Sequence, residues 1–298
     1  MANQPSHTGS DLARGTLLVA GAAIVWSFGG TIARFLEVSD SWTIVFWRSA
    51  FAALFLLVFM LVRDGVRGAA ALVSGIGPAG IGVALCFTVA SVSFVVALAH
   101  TTVANILLIQ AGAPLLAALM TWVLFGERIS ASTWAAIAAV IAGIAIMVSG
   151  SFTGRVSLLG DGLALAIAIA VAAATVITRR YAHVRMTPAV FLAMVIAGGI
   201  AALMSTPAVV SGRDFALLFA FGALNLGLGL SLFVTGARLI PAALGALVGS
   251  IEPVLGPLWV WLVHAEVPGT RTLVGGALVV AALLAHLGLQ WARQTGRT

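Results

Sequence analysis

The 298 residues are 61% hydrophobic and 8% charged, with a mean hydropathy of +1.15. A soluble domain carries about 25% charged residues, so this chain has too few to cover a water-facing surface, and disorder, which needs low hydrophobicity, is excluded. Cys86 is the single cysteine, which rules out a disulfide framework and leaves an integral membrane protein.

All fifteen basic residues are arginine, and the net charge is +6. Nucleic-acid binding needs basic residues clustered on one face. Here they are scattered between apolar runs, so no nucleic-acid partner is expected. Met1 to Asp11 is polar and lacks a basic n-region, and Arg14 precedes an apolar run of span length, so the start reads as a short tail rather than a cleaved signal.

Ten candidate spans follow in chain order: Gly15–Ala33, Thr43–Val62, Pro78–Ala99, Val103–Leu124, Ala131–Ser149, Leu158–Thr178, Pro188–Ser205, Phe215–Ala237, Ala242–His264 and Thr272–Trp291. Helix is the fit, because a barrel strand shows alternating polarity, whereas Ala135 to Val148 is apolar throughout. With the N-terminus cytoplasmic, that side collects Arg14, Arg63, Arg67, Arg128, Arg179, Arg180, Arg185, Arg238, Arg293 and Arg297. The other side collects Arg34, Arg155, Arg213 and Arg271. The bias places both termini in the cytoplasm.

Ala97 to Val148 superimposes on Gly236 to Leu287 at a constant offset of 139, the step from Pro114 to Pro253. The same offset takes Trp122 to Trp261, Glu127 to Glu266 and Thr133 to Thr272. Two copies of five spans cannot share an orientation, because five is odd. The expected fold is therefore an all-α integral membrane protein of ten transmembrane helices in two inverted five-helix repeats, residues 1–150 and 151–298. Inverted repeats mark secondary transporters, with substrate bound near the midplane.

Trp26, Arg48, Pro114 with Glu127 and Arg128, and Glu252-Pro253 with Glu266 give the sequence its likeness to known proteins. It resembles the EamA-type family of the drug/metabolite transporter superfamily, and within it the YddG-type bacterial amino-acid exporters. The resemblance implies a central cavity lined mainly by helices 1, 3, 4, 6, 8 and 9, with helices 5 and 10 at the periphery. It also implies transport rather than catalysis; a bacterial inner membrane and no cofactor are expected. One departure is Val267, which stands where the first repeat has Arg128, so Arg128 is given no transport role.

Few polar groups lie deep in the spans. A charge at the bilayer centre costs about 2.5–3.5 kcal/mol on insertion scales and marks a pathway or proton site. Glu252, mid-span in the ninth segment, reads either as a substrate-ammonium or proton site or as a neutral carboxyl bonded between helices. Arg48, five residues into the second span, is expected to snorkel to the headgroups; the sharper alternative is an acid partner or a gate. Asn105, Gln110 and Asn225 either bond neighbouring helices or line the cavity, and Asn225 shares a face with Gly222, Gly229 and Gly236 that suits close packing. Phe87, Ser91, Phe94 and Leu98 form one stripe, either core or cavity wall. Trp26 is mid-span and a further cavity candidate.

Gly245, Gly249, Pro253 and Pro257 follow at steps of four, and the first two form a GxxxG suited to close helix approach. With Pro114, the prolines Pro253 and Pro257 are expected to break or bend the fourth and ninth helices beside the substrate. The cavity set is thus Trp26, Phe87, Ser91, Asn105, Gln110, Asn225 and Glu252.

No HExxH helix, GxSxG turn, Walker loop or histidine cluster occurs, so neither an enzyme nor a metal site is expected. Leu158-Leu159-Gly160-Asp161 lacks the first glycine of an aspartyl-protease GxGD. The expected function is a secondary transporter exporting small metabolites, amino acids with aromatic or other neutral side chains leading, as a monomer or homodimer surrounded by membrane lipid. The alternative is a proton-coupled exporter of hydrophobic cationic drugs, and a non-transporting membrane scaffold is the third class.

Overall fold

In lipid each spanning segment must satisfy its own backbone N–H and C=O groups, and a helix does so locally. The computed structural model describes residues 9–126, 129–149, 157–181, 186–204, 209–240 and 242–295. Glu127, Arg128, Arg155, Arg185, Ser205 and Arg297, all used above, lie outside them. The described residues form ten helices long and apolar enough to cross a membrane. They are α1 (Gly9–Ser27 and Gly29–Arg34), α2 (Ser41–Ser74), α3 (Gly77–Leu98), α4 (Val103–Gln110 and Ala113–Phe125), α5 (Ala131–Ser149), α6 (Leu158–Arg180), α7 (Met186–Met204), α8 (Gly212–Phe219, Ala220–Leu228 and Gly229–Gly236), α9 (Ala242–Gly249 and Glu252–His264) and α10 (Thr270–Thr295).

The internal repeat recurs in the backbone. Both halves of α4 carry over to both halves of α9 at the same offset, so the two helices break at matched positions. Pro114 and Pro253 stand in the first turn of each second half, where a missing N–H costs no intrahelical bond. Gly126 and Ala265, also matched, both close their helices in the left-handed region at φ 66° and 54°. Pro257 does not break its helix: Glu252–His264 runs through it. The Gly245–Gly249 pair makes no close approach either; a Cβ at Gly249 would meet nothing within 4 Å. The contact falls at Gly256, where a Cβ would come 2.2 Å from Leu107 Cδ1 of α4.

Three elements depart from the expected edges. The second helix runs past Val62 to Ser74, with a break at Gly65, whose φ of 69° and ψ of 173° suit glycine alone. A Ser27–Gly29 interruption divides α1, and the middle of α8, Ala220–Leu228, is π-helical. The glycine face of α8 packs as expected: Gly222 lies on the Arg48 carbonyl, Gly229 on the Trp26 indole and Gly236 on Gly15 and Leu18. At the periphery α5 crosses α10 backbone to backbone, a Cβ on Gly143 falling 2.7 Å from the Gly275 carbonyl.

Candidate functional site

A cavity of about 450 Å³ lies between the two halves. That is within the size range of small-molecule sites, about 300–1,000 Å³. Its walls are predominantly apolar: Phe87 and Phe94 from α3, Val171 from α6, Val190 and Met194 from α7, Leu230 and Phe233 from α8. The implied helices 1, 3, 4, 6, 8 and 9 all contribute, but α2 and α7 also do, through Arg48 and Met186, Val190 and Met194. Among the described residues, none of the lining comes from α5 or α10.

Six of the seven residues singled out from the sequence, Trp26, Phe87, Ser91, Gln110, Asn225 and Glu252, line this cavity together. Gln110 closes the first half of α4, and Glu252 opens the second half of α9, so both helix breaks present a polar side chain to the same space. Trp26 lies against Phe233 at 5.5 Å between ring centroids, and its buried Nε1 has no partner among the described residues. Asn225 has a double part. It lines the cavity and its Nδ2 donates to the carbonyls of Val25 at 2.6 Å and Trp26 at 3.3 Å, just before the interruption of α1. Pro114, Pro253 and Pro257 do not line the cavity, and Pro114 is exposed.

Asn105 requires correction. It is 1% exposed and away from the cavity. Its Nδ2 donates to Asp161 Oδ1 at 2.8 Å, and its Oδ1 accepts from Thr272 Oγ1 at 2.6 Å. This knot ties the start of α4 to the starts of α6 and α10. Asp161, set aside at the sequence level as an incomplete protease motif, is its acceptor and is equally buried. Nothing in a single chain marks partners 56 and 167 positions away.

Arg48 requires correction too. Rather than snorkelling, it is 6% exposed and faces the cavity. Its Nη1 donates to Ser91 Oγ at 2.9 Å, and its Cζ lies over the rings of Phe221 and Phe94 at 4.4 and 5.6 Å. Such stacking stabilises a desolvated guanidinium by about 2 kcal/mol. Nε is buried with no partner, and no acid lies within ion-pair range among the described residues. Glu252 shares the cavity without pairing to it.

The two ends of the cavity differ. Toward one face the lining runs to Thr178 and Arg179 in the last turn of α6 and to Met186 at the start of α7. Toward the other, the lining of α3 stops at Phe94, one helical turn short of a polar lock. There Arg34 donates through Nε to Glu266 at 2.9 Å, through Nη1 to the Leu98 carbonyl at 2.8 Å and through Nη2 to the Thr101 carbonyl at 3.2 Å. The second carboxylate oxygen of Glu266 accepts the Val103 N–H at 2.9 Å. His264 reinforces the seal, donating to the Thr31 carbonyl at 3.1 Å with its ring edge-on to Phe35. Beyond it, Arg213 pairs with Glu37.

The EamA-like transporter family model matches residues 13–149 and 158–287, one copy on each five-helix half. The chain belongs to the EamA-like transporter family. It is accordingly a multi-pass membrane transporter of small metabolites and not an enzyme. A solved crystal structure of a protein shares the fold, with a TM-score of 0.67 over 93% of this chain and 98% of that one, at 19% identity. No curated protein matches the chain.

Proposed function

We propose that this EamA-like transporter exports amino acids with aromatic or other neutral side chains across a bacterial inner membrane, by rocking its inverted halves around the central cavity. The observation that carries the reading is the make-up of that cavity. An apolar chamber of about 450 Å³ holds the cation Arg48, the acid Glu252 and the amides Gln110 and Asn225, with a second cation, Arg179, toward its open end. A zwitterion with an apolar side chain complements each of these groups, whereas a hydrophobic cation meets a like charge at Arg48. With both termini cytoplasmic, the open end faces the cytoplasm and the Arg34–Glu266 lock seals the far side, which is the loading state of an exporter. The substrate-binding set is accordingly Trp26, Phe87, Ser91, Gln110, Asn225 and Glu252, with Arg48 added and Asn105 removed.

One observation favours the second reading, proton-coupled export of cations. The Glu252 carboxyl makes no hydrogen bond or ion pair with protein among the described residues, which leaves it free to exchange a proton for a cation. Uptake into proteoliposomes of radiolabelled neutral amino acids and of a lipophilic cation, with and without a pH gradient, separates the two. Amino-acid uptake by the wild type, retained with a changed KM in Glu252→Gln, is the expected result. Uptake of the cation alone, driven by the gradient and abolished in Glu252→Gln, would establish the second reading instead.

A further inference from the structure

We infer that Arg48 is the carboxylate-binding residue of the cavity, so that substrates are oriented with their anionic end on α2 and α3 and their remaining polar end toward the α9 break. This deepens the amino-acid reading and rests on it for the identity of the other end. Arg48 is a guanidinium with five donors in a planar fork. Among the described residues, only the Nη1 bond to Ser91 is made to a side-chain acceptor, and Nε is buried without a partner. The ion stands 6% exposed on the cavity wall with no acid in ion-pair range among the described residues. A buried charge left without its counter-ion is unfavourable, and a carboxylate arriving through the cavity supplies it. Phe94 and Phe221 cover the guanidinium by ring stacking, and Ser91 fixes its orientation. The fork is therefore held in place before the ligand arrives.

Glu252 marks the other pole. It lines the same cavity from the first turn of the second half of α9 and does not neutralise Arg48 directly. Two unpaired opposite charges on separate walls of one apolar chamber select a dipolar ligand and fix which way round it lies. Ser91 is a positioning residue in this arrangement, acting through Arg48.

The test is equilibrium binding to the purified full chain in proteoliposomes, with three probes of one carbon skeleton: L-phenylalanine, phenethylamine, which lacks the carboxylate, and 3-phenylpropionate, which lacks the amine. The wild type is expected to bind phenethylamine about 30-fold or more weakly than L-phenylalanine, the size of loss seen when one partner of a buried charge pair is removed. In Arg48→Gln the two carboxylates should weaken by a similar factor while phenethylamine is unchanged or tighter. Ser91→Ala, which keeps the charge, should weaken both carboxylates several-fold and leave phenethylamine alone, and it covers the case in which Arg48→Gln does not fold. Wild-type binding indifferent to the carboxylate, or equal weakening of all three probes in both variants, overturns the inference. Binding of phenylpropionate that depends on Arg48, with no amino acid transported, upholds the carboxylate subsite and overturns the amino-acid reading. Transport of L-phenylalanine that does not depend on Arg48 does the reverse.

Discussion

Two polar residues show how single positions take their role from partners distant in sequence. Asn105 and Arg48 both sit in apolar runs; the sequence alone leaves Asn105 between a helix-bonding and a cavity role, and Arg48 between snorkelling to the headgroups and an acid partner or gate. The structure resolves them oppositely, Asn105 into a sealed knot with Asp161 and Thr272 and Arg48 onto the cavity wall. Burial explains the first, because an amide between two apolar helices must find a donor and an acceptor, and both lie on other spans. Replacing Asn105 by Ala should remove one hydrogen bond to the Asp161 carboxyl and the acceptor of the Thr272 hydroxyl, at a cost of about 1–3 kcal/mol. The variant should lower the unfolding temperature in detergent while substrate affinity of the folded fraction stays at the wild-type value. A loss of affinity at unchanged stability would return Asn105 to the cavity set. Ser91 was legible as part of a stripe with Phe87 and Phe94, since spacings of four and three place side chains on one helical face; the arginine it holds was not, because snorkelling and burial demand the same side chain.

At the scale of elements, the ten spans could be read because the contrast between apolar runs and arginine-bearing turns is large compared with any local propensity. The α4 and α9 breaks were readable for a different reason, a proline at matched places in two copies. The interruption of α1 and the π-helical stretch of α8 carried no such mark. They meet each other in space, where Asn225 donates to the Val25 and Trp26 carbonyls and Gly229 lies on Trp26. Contacts of this kind, about two hundred positions apart, are visible only once the chain is folded. The glycine positions also differ in what they tolerate. A Cβ at Gly222 would fall 2.3 Å from the Arg48 carbonyl, which is backbone, whereas at Gly256 it meets the tip of Leu107. Gly222→Ala is expected to cost about 1–3 kcal/mol through overpacking, while Gly256→Ala, with a leucine end able to rotate and about 1 kcal/mol of helix propensity gained, should be close to neutral. Thermal unfolding of the two variants side by side checks the order, and a Gly256→Ala loss as large as that of Gly222→Ala would contradict it.

For the whole molecule, the asymmetry between the two ends of the cavity is what the proposed rocking mechanism requires in any single state. On that mechanism the repeat makes the two end states near-equivalent in fold, so a small number of contacts present at only one end can decide which state is populated. The Arg34–Glu266 lock is such a set: three guanidinium donors and two carboxylate oxygens join α1, the α3–α4 turn and the end of α9. Hydrogen bonds to charged groups contribute about 1.5–3 kcal/mol each, and 1.4 kcal/mol is a tenfold change in an equilibrium. Glu266→Gln keeps the shape and removes the charge, so it should shift the population toward the state open on the lock side by about tenfold or more. The readout is a cysteine at Phe94, the last lining residue of α3 before the lock, placed in a chain with Cys86→Ser and treated with a membrane-impermeant maleimide from each side of sealed vesicles. Labelling from the α6–α7 side should dominate with Glu266 in place, and labelling from the lock side should rise with Glu266→Gln. A staple that only adds stability would behave differently, lowering the unfolding temperature and leaving the sidedness of labelling as it was.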